Sequence, residues 1–191
     1  NQQALGHMTL EDGRRYFKDL CTGLQVLHSL GVIHRDIKPS NFLFDKSKKC
    51  GKIIDFGLSE CARPHGTKER MSHNGTSGYR APEVLSGLIS NSEQHPAVTT
   101  AADMYAVGVM LLCFIYGTKP SSFFQLMAVG LNGYSKKKYE IERLKAEKLF
   151  NIANGSAGHQ QRAIKLRFKL KRDDPAVCLA RYLLCFTTAS R

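Results

Sequence analysis

The chain has 191 residues, 42% hydrophobic and 23% charged, the balance of one globular domain with a sizeable core. Its longest apolar run, Tyr105 to Tyr116, is 12 residues, too short to cross a bilayer and better read as a buried helix. The net charge of +12 is uneven: residues 1–133 hold fourteen basic and eleven acidic side chains, whereas residues 134–191 hold fourteen against five. A basic stretch over residues 134–172 attracts acidic partners or nucleic acid. The blander reading, a solvated face or an irregular insert, is preferred. Cys21, Cys50, Cys61, Cys113, Cys178 and Cys185 form no CxxC pair. Cys61, His65 and His73 fit no standard zinc spacing. Scattered cysteines of this kind predict a reducing, intracellular compartment. No basic-then-apolar leader opens the chain, and its first residue is Asn rather than Met, so the true N-terminus is expected upstream.

In chain order, residues 9–30 predict an amphipathic helix. Thr9 suits the N-cap, Glu11 and Asp12 the first turn, and Gly31 the left-handed position past the end. Phe17, Leu20, Cys21, Leu24, Leu27 and His28 fall on one stripe. Short β-type runs follow at Val32-Ile33, Phe42-Leu43-Phe44 and Lys52-Ile53-Ile54, the last two flanking a polar turn from Asp45 to Gly51 as in a hairpin. Residues 58–80 lack periodicity and read as a long loop. Pro82 suits the first turn of a short helix through Leu85. After a second polar loop, residues 86–98, a buried helix is expected from about Thr100 to Tyr116, closed by Gly117. Ala163 to Lys171 alternates strictly, a strand period in a helical half. Asp174 and Pro175 suit the start of a last helix with Val177, Ala180, Leu183 and Leu184 inward.

Residues 34–57 carry the chemistry. Phosphoryl transfer needs a group to accept a hydroxyl proton, cations to neutralise phosphate charge, and rigid positioning of both. Asp36 suits the base, Lys38 reaches a phosphate as a point charge, and Asn41 and Asp55 offer the hard oxygen ligands that Mg²⁺ prefers. Gly57 supplies backbone freedom for Asp55 to turn into a cleft.

His34-Arg35-Asp36-Ile37-Lys38-Pro39-Ser40-Asn41 and Asp55-Phe56-Gly57 resemble the catalytic and metal-binding loops of the eukaryotic serine/threonine protein kinases. Gly75-Thr76-Ser77-Gly78-Tyr79-Arg80-Ala81-Pro82-Glu83 resembles their substrate-positioning loop. Asp103-Met104-Tyr105-Ala106-Val107-Gly108 resembles the next signature, with Tyr where the family usually has Trp. The resemblance implies Asp36 as catalytic base, Lys38 as phosphate contact, and ATP with Mg²⁺ held at Asn41 and Asp55. It implies that Thr76 bridges Asp36 and Lys38, a mark of serine/threonine specificity, and that Leu43 and Ile54 line the adenine floor. Asp103 is expected to anchor the catalytic loop, and Glu83 to pair with Arg191. His34 and Phe56 are expected to pack. Arg35 is expected to receive a negative group from the following loop, where Thr67, Ser72 or Ser77 are candidates for phosphorylation.

The implied fold is α+β, mainly α: a kinase large lobe with a short β-hairpin carrying the two loops. No GxGxxG and no Val-Ala-Ile-Lys precedes His34, so the small lobe is expected to be missing. Residues 1–191 then form a partial domain: 9–120 match well, 121–173 are divergent or an insert, and 174–191 are a truncated final motif. The chain alone is expected to bind ATP poorly and the parent protein to be active on protein substrates, with a regulatory subunit and a nuclear location. Asn41-Phe42-Leu43-Phe44 together with the 75–83 segment looks most like the cell-division-cycle-seven kinases. The rival reading is a non-catalytic, kinase-like binding module or an inactive fragment, which has no need of Asp36, Lys38, Asn41 and Asp55 together.

Overall fold

A computed structural model describes residues 8–45, 47–61, 75–81, 83–84, 98–117, 178–180 and 183–184. The expectations for Pro82, Leu85, Ala163–Lys171, Asp174, Pro175, Val177, Arg191 and the basic residues 134–172 lie outside them.

Helix α1, Leu10–Ser29, begins where its cap chemistry dictates: the Thr9 hydroxyl accepts from the Asp12 N–H at 3.1 Å, and Glu11 and Asp12 face the positive end. It ends at Leu30, followed by Gly31 at φ +72°, a conformation that costs glycine nothing. The buried face is Gly13, Tyr16, Leu20 and Leu24, with Phe17, Cys21 and Leu27 packed at its margin. The expected stripe thus needs Tyr16 added, because this aromatic ring is the centre of the packing rather than a flank. Its ring meets those of Phe17, Phe42 and Phe44 edge-on at 4.7–5.7 Å, the geometry ring quadrupoles favour.

Strand β1, Val32–Ile33, precedes the catalytic-type loop, which ends in a short 3-10 turn at Pro39–Asn41. Strands β2, Phe42–Asp45, and β3, Cys50–Ile53, pair antiparallel with Phe42 opposite Ile53 and Asp45 opposite Cys50. The hairpin starts two residues earlier on its return strand than the apolar run suggested, because strand pairing includes Cys50 and Gly51. Asp45 Oδ1 closes the turn by accepting from the Ser47 and Lys48 N–H groups, at 2.9 and 3.1 Å. Phe42 and Phe44 face α1, while Leu43 faces away, the period of a strand. Gly51 donates its N–H to Asp19 at 2.8 Å and leaves room for the Phe42 ring, so helix and hairpin form one unit.

Strand β4, Glu60–Cys61, pairs with β1, placing Ile33 opposite Glu60 and Val32 opposite Cys61. This corrects the reading of residues 58–80 as one loop. Two residues carry no readable period, and only β1 gives them a partner.

Helix α2, Thr100–Tyr116, starts on a Thr99 cap and stops at Gly117 with φ 65°. Residues Tyr105 through Ile115 hold ten buried apolar side chains and Gly108, all around the helix, as the sequence required of a central element. Gly108 admits a close approach: a Cβ there would stand 2.8 Å from the Leu183 Cβ. Ala180, Leu183 and Leu184 are buried against this core, the inward set expected of the last helix. Cys113 sits at 3% exposure, and burial pushes its thiol pKa far up, so it behaves as a small apolar residue.

Gly13 lies beneath the Phe114 ring, whose nearest carbon is 2.0 Å from an added Cβ. Gly13→Ala is therefore expected to cost about 1–3 kcal/mol by overpacking. Chemical denaturation checks this, and a variant as stable as the wild type contradicts the packing described.

Candidate active site

The site is built where α2 meets the loop after β1. Asp103, in the first turn of α2, is 1% exposed. Its Oδ2 accepts from the His34 N–H at 2.8 Å and faces His28 Nε2 at 3.0 Å, while Oδ1 accepts from the Arg35 N–H at 2.8 Å. A buried carboxylate is tolerable only when so satisfied. Two consecutive backbone amides are thereby fixed just before Asp36. His28, read from the sequence only as part of an apolar stripe, belongs to this clamp. His34 is wholly buried and uses both ring nitrogens: Nδ1 accepts from the Asp36 N–H at 3.3 Å, and Nε2 donates to the Ile54 carbonyl at 3.0 Å. Its ring lies 5.2 Å from that of Phe56; His34 takes the packing role expected of it, whereas Phe56 is 47% exposed and touches the core only at its edge.

Asp36 is saturated. Oδ1 accepts from the Thr76 N–H at 2.9 Å and the Thr76 hydroxyl at 2.7 Å. Oδ2 accepts from Lys38 Nζ at 2.6 Å and Asn41 Nδ2 at 3.1 Å. Lys38 Nζ also donates to the Thr76 hydroxyl at 2.7 Å, closing a ring of three side chains. Burial by itself raises the Asp36 pKa, but hydrogen bonds from Lys38 and Thr76, together with the Lys38 charge, outweigh it. The net position is below the usual carboxylate value. Thr76, brought across 40 residues of sequence, bridges Asp36 and Lys38 as expected. Gly75 makes the approach possible: its φ is +113°, and a Cβ there would stand 3.0 Å from the Arg35 carbonyl oxygen.

Asn41 also donates Nδ2 to the Asp36 carbonyl at 2.9 Å. With the amide nitrogen committed inward, its Oδ1 has only a long 3.5 Å contact from Ser40 Oγ. The Ile54 N–H donates to the Asn41 carbonyl at 2.9 Å, tying the two loops together. Asp55 follows, exposed, with φ 64°. The left-handed residue at this turn is Asp55 itself, and aspartate is among the side chains that tolerate this region. What Gly57 contributes is the absence of a Cβ, which would stand 3.3 Å from Asp55 Oδ1. Leu43 is half exposed on the hairpin face turned from α1, and Ile54 is partly buried. The side chain of Arg35 forms an ion pair with Glu60. Sequence reading missed Glu60; its one trace was that Val32-Ile33, read as a strand, required a partner. Glu83 is described, whereas Arg191, Thr67 and Ser72 lie outside the described residues.

A saturated carboxylate beside a lysine, with an amide oxygen and an exposed carboxylate on the adjoining loop, provides the types of group that phosphoryl transfer calls for. The chain belongs to the protein kinase domain family, whose profile matches residues 2–191. It is 37% identical over 117 residues to serine/threonine-protein kinase ssp1 of Schizosaccharomyces pombe, covering 59% of this chain and 18% of that protein. It is 41% identical over 112 residues to ribosomal protein S6 kinase alpha-1 of Rattus norvegicus, covering 59% and 14%. To the maternal embryonic leucine zipper kinase of Xenopus laevis it is 31% identical over 142 residues, covering 73% and 20%. The chain spans a fifth or less of the length of these three relatives. No helix among the described residues is long and apolar enough to cross a membrane.

Two outcomes are expected. Asp103→Ala leaves the His34 and Arg35 amides without their acceptor and should cost about 3–5 kcal/mol, measured by equilibrium unfolding. The lowered Asp36 pKa means that the folded state favours the ionised form. Its stabilisation is complete above the ordinary carboxylate pKa and is lost as pH falls through the lowered folded value. Against Asp36→Asn, wild-type stability should therefore fall more steeply as pH drops below about 4; parallel pH profiles would contradict the network.

Proposed function

We propose that the parent protein is an ATP-dependent serine/threonine protein kinase and that these residues form its catalytic loops, in the large lobe of the domain. The observation that carries the proposal is the closed network of Asp36, Lys38, Thr76 and Asn41. An ionised carboxylate offers roughly four acceptor positions, and here all are in use. Asp36 receives a substrate hydroxyl only when one donor gives way. Lys38 is that donor, because a γ-phosphate beside it competes for the ammonium. Its departure frees Oδ2 for the hydroxyl, while Thr76 and Asn41 keep the carboxylate oriented. Asp36 then accepts the hydrogen bond that aligns the hydroxyl and takes up its proton as that oxygen bonds to the γ-phosphorus and the bond from phosphorus to the β–γ bridging oxygen breaks, with ADP as the leaving group.

Asn41 Oδ1 and the Asp55 carboxylate suit Mg²⁺: both are hard oxygen donors, and Asn41 spends its Nδ2 on Asp36 while its Oδ1 has only the long Ser40 contact. A metal held by these two residues would supply positive charge to offset that of the phosphates. Lys38 with Thr76 supports serine or threonine as the acceptor, and the name of the fission yeast relative agrees. Leu43, exposed on the outer hairpin face, and Ile54 supply apolar surface for a purine.

The finer placement, with the cell-division-cycle-seven kinases, a regulatory subunit and a nuclear role in replication, rests on Asn41-Phe42-Leu43-Phe44 and residues 75–83. Normal origin firing in cells depleted of the parent protein would rule it out.

The direct test uses the full-length parent with Mg·ATP and a protein substrate. Asp36→Ala and Asp55→Ala should each lower kcat by about 10²–10⁴-fold or more while the protein still folds. Undiminished transfer in either variant would falsify the assigned roles.

A further inference from the structure

Arg35 stands where the strands of the site converge. Its amide is held by Asp103 and its φ is +70°. Its carbonyl oxygen packs against Gly75, the residue before Thr76. Its guanidinium pairs with Glu60, and the two side chains are only 10% and 33% exposed. A cation this shielded requires a counter-charge in place, since a desolvated charge without one is strongly unfavourable. Pairing of β1 with β4 sets Glu60 opposite Ile33, one residue before the loop that carries Asp36. Glu60 also lies five residues after Asp55 on the same stretch of chain. The ion pair therefore joins the segment bearing Asp55 to the segment bearing Asp36.

We propose that Glu60 is a positioning residue for phosphoryl transfer: its carboxylate holds Arg35, and through Arg35 orients Asp36, so that the site is assembled without a phosphate on neighbouring chain. The proposal rests on the kinase reading above. An incoming phosphate would meet an arginine already neutralised and a carboxylate of its own sign, so phosphorylation of the chain that follows β4 adds little to the order of the site.

The test takes the full-length parent, dephosphorylated until mass spectrometry finds no phosphate. The wild type should keep its kcat within about twofold. Glu60→Gln, which preserves shape and removes the charge, should lower kcat about tenfold or more with the KM for ATP little changed, and Glu60→Asp should restore part of the loss. In thermal melting, the Arg35→Gln/Glu60→Gln double variant should lose no more than the worse single variant, the mark of coupled partners. Three results overturn the proposal: a wild type that loses tenfold or more of its kcat on dephosphorylation, a Glu60→Gln variant with wild-type kcat, or additive melting losses. A parent that transfers no phosphate in any state refutes the kinase reading instead, and the melting cycle then decides the pair on its own.

Discussion

Everything at the site hangs on one buried carboxylate. Asp103 is rooted in α2, a helix packed on every side, and an element so enclosed has almost no freedom to shift. From that position it holds the His34 and Arg35 amides and faces His28 of α1. Burying a charge in a protein core is costly, and only this full set of donors makes it tolerable. The benefit is geometric. The amide groups immediately before Asp36 are fixed relative to the two main helices, so the carboxylate begins its work already placed.

Around that anchor the backbone is bent at two chemically important points. Arg35 and Asp55 both adopt left-handed conformations, each costing roughly 1–2 kcal/mol for an L-residue. Such conformations persist when the surroundings over-determine them. Arg35 is constrained by Asp103, Gly75 and Glu60 together. Asp55 is preceded by Ile54, whose N–H is bound to Asn41 and whose carbonyl is bound to His34.

Electrostatics complete the arrangement. Lys38 and Thr76 keep Asp36 ionised despite its burial, so the carboxylate serves first as a strong, directional acceptor. Because Lys38 bonds both partners, moving its charge changes what Asp36 can bind without dismantling the Thr76 and Asn41 contacts. One ammonium thus ties the Asp36 carboxylate to the Thr76 hydroxyl.

Much of this was legible in the chain. Helix boundaries at Thr9, Gly31 and Gly117 are local matters of capping and left-handed glycine, and the apolar run after Thr100 left a buried helix as its reading, with the Thr99 cap supplied by the structure. The motif residues Asp36, Lys38, Asn41 and Asp55 stood out by type and spacing, because phosphate chemistry admits few alternatives, and Thr76 was implied by the family resemblance. Tertiary structure decided the rest. The pairing of Glu60–Cys61 with Val32–Ile33, the ion pair of Glu60 with Arg35, and the turn of His28 toward Asp103 join residues 25 to 75 positions apart. The left-handed turn at Asp55 is likewise invisible in the sequence. A sequence displays periods and caps, which act over a few residues; it does not display which charges become neighbours once the core has closed.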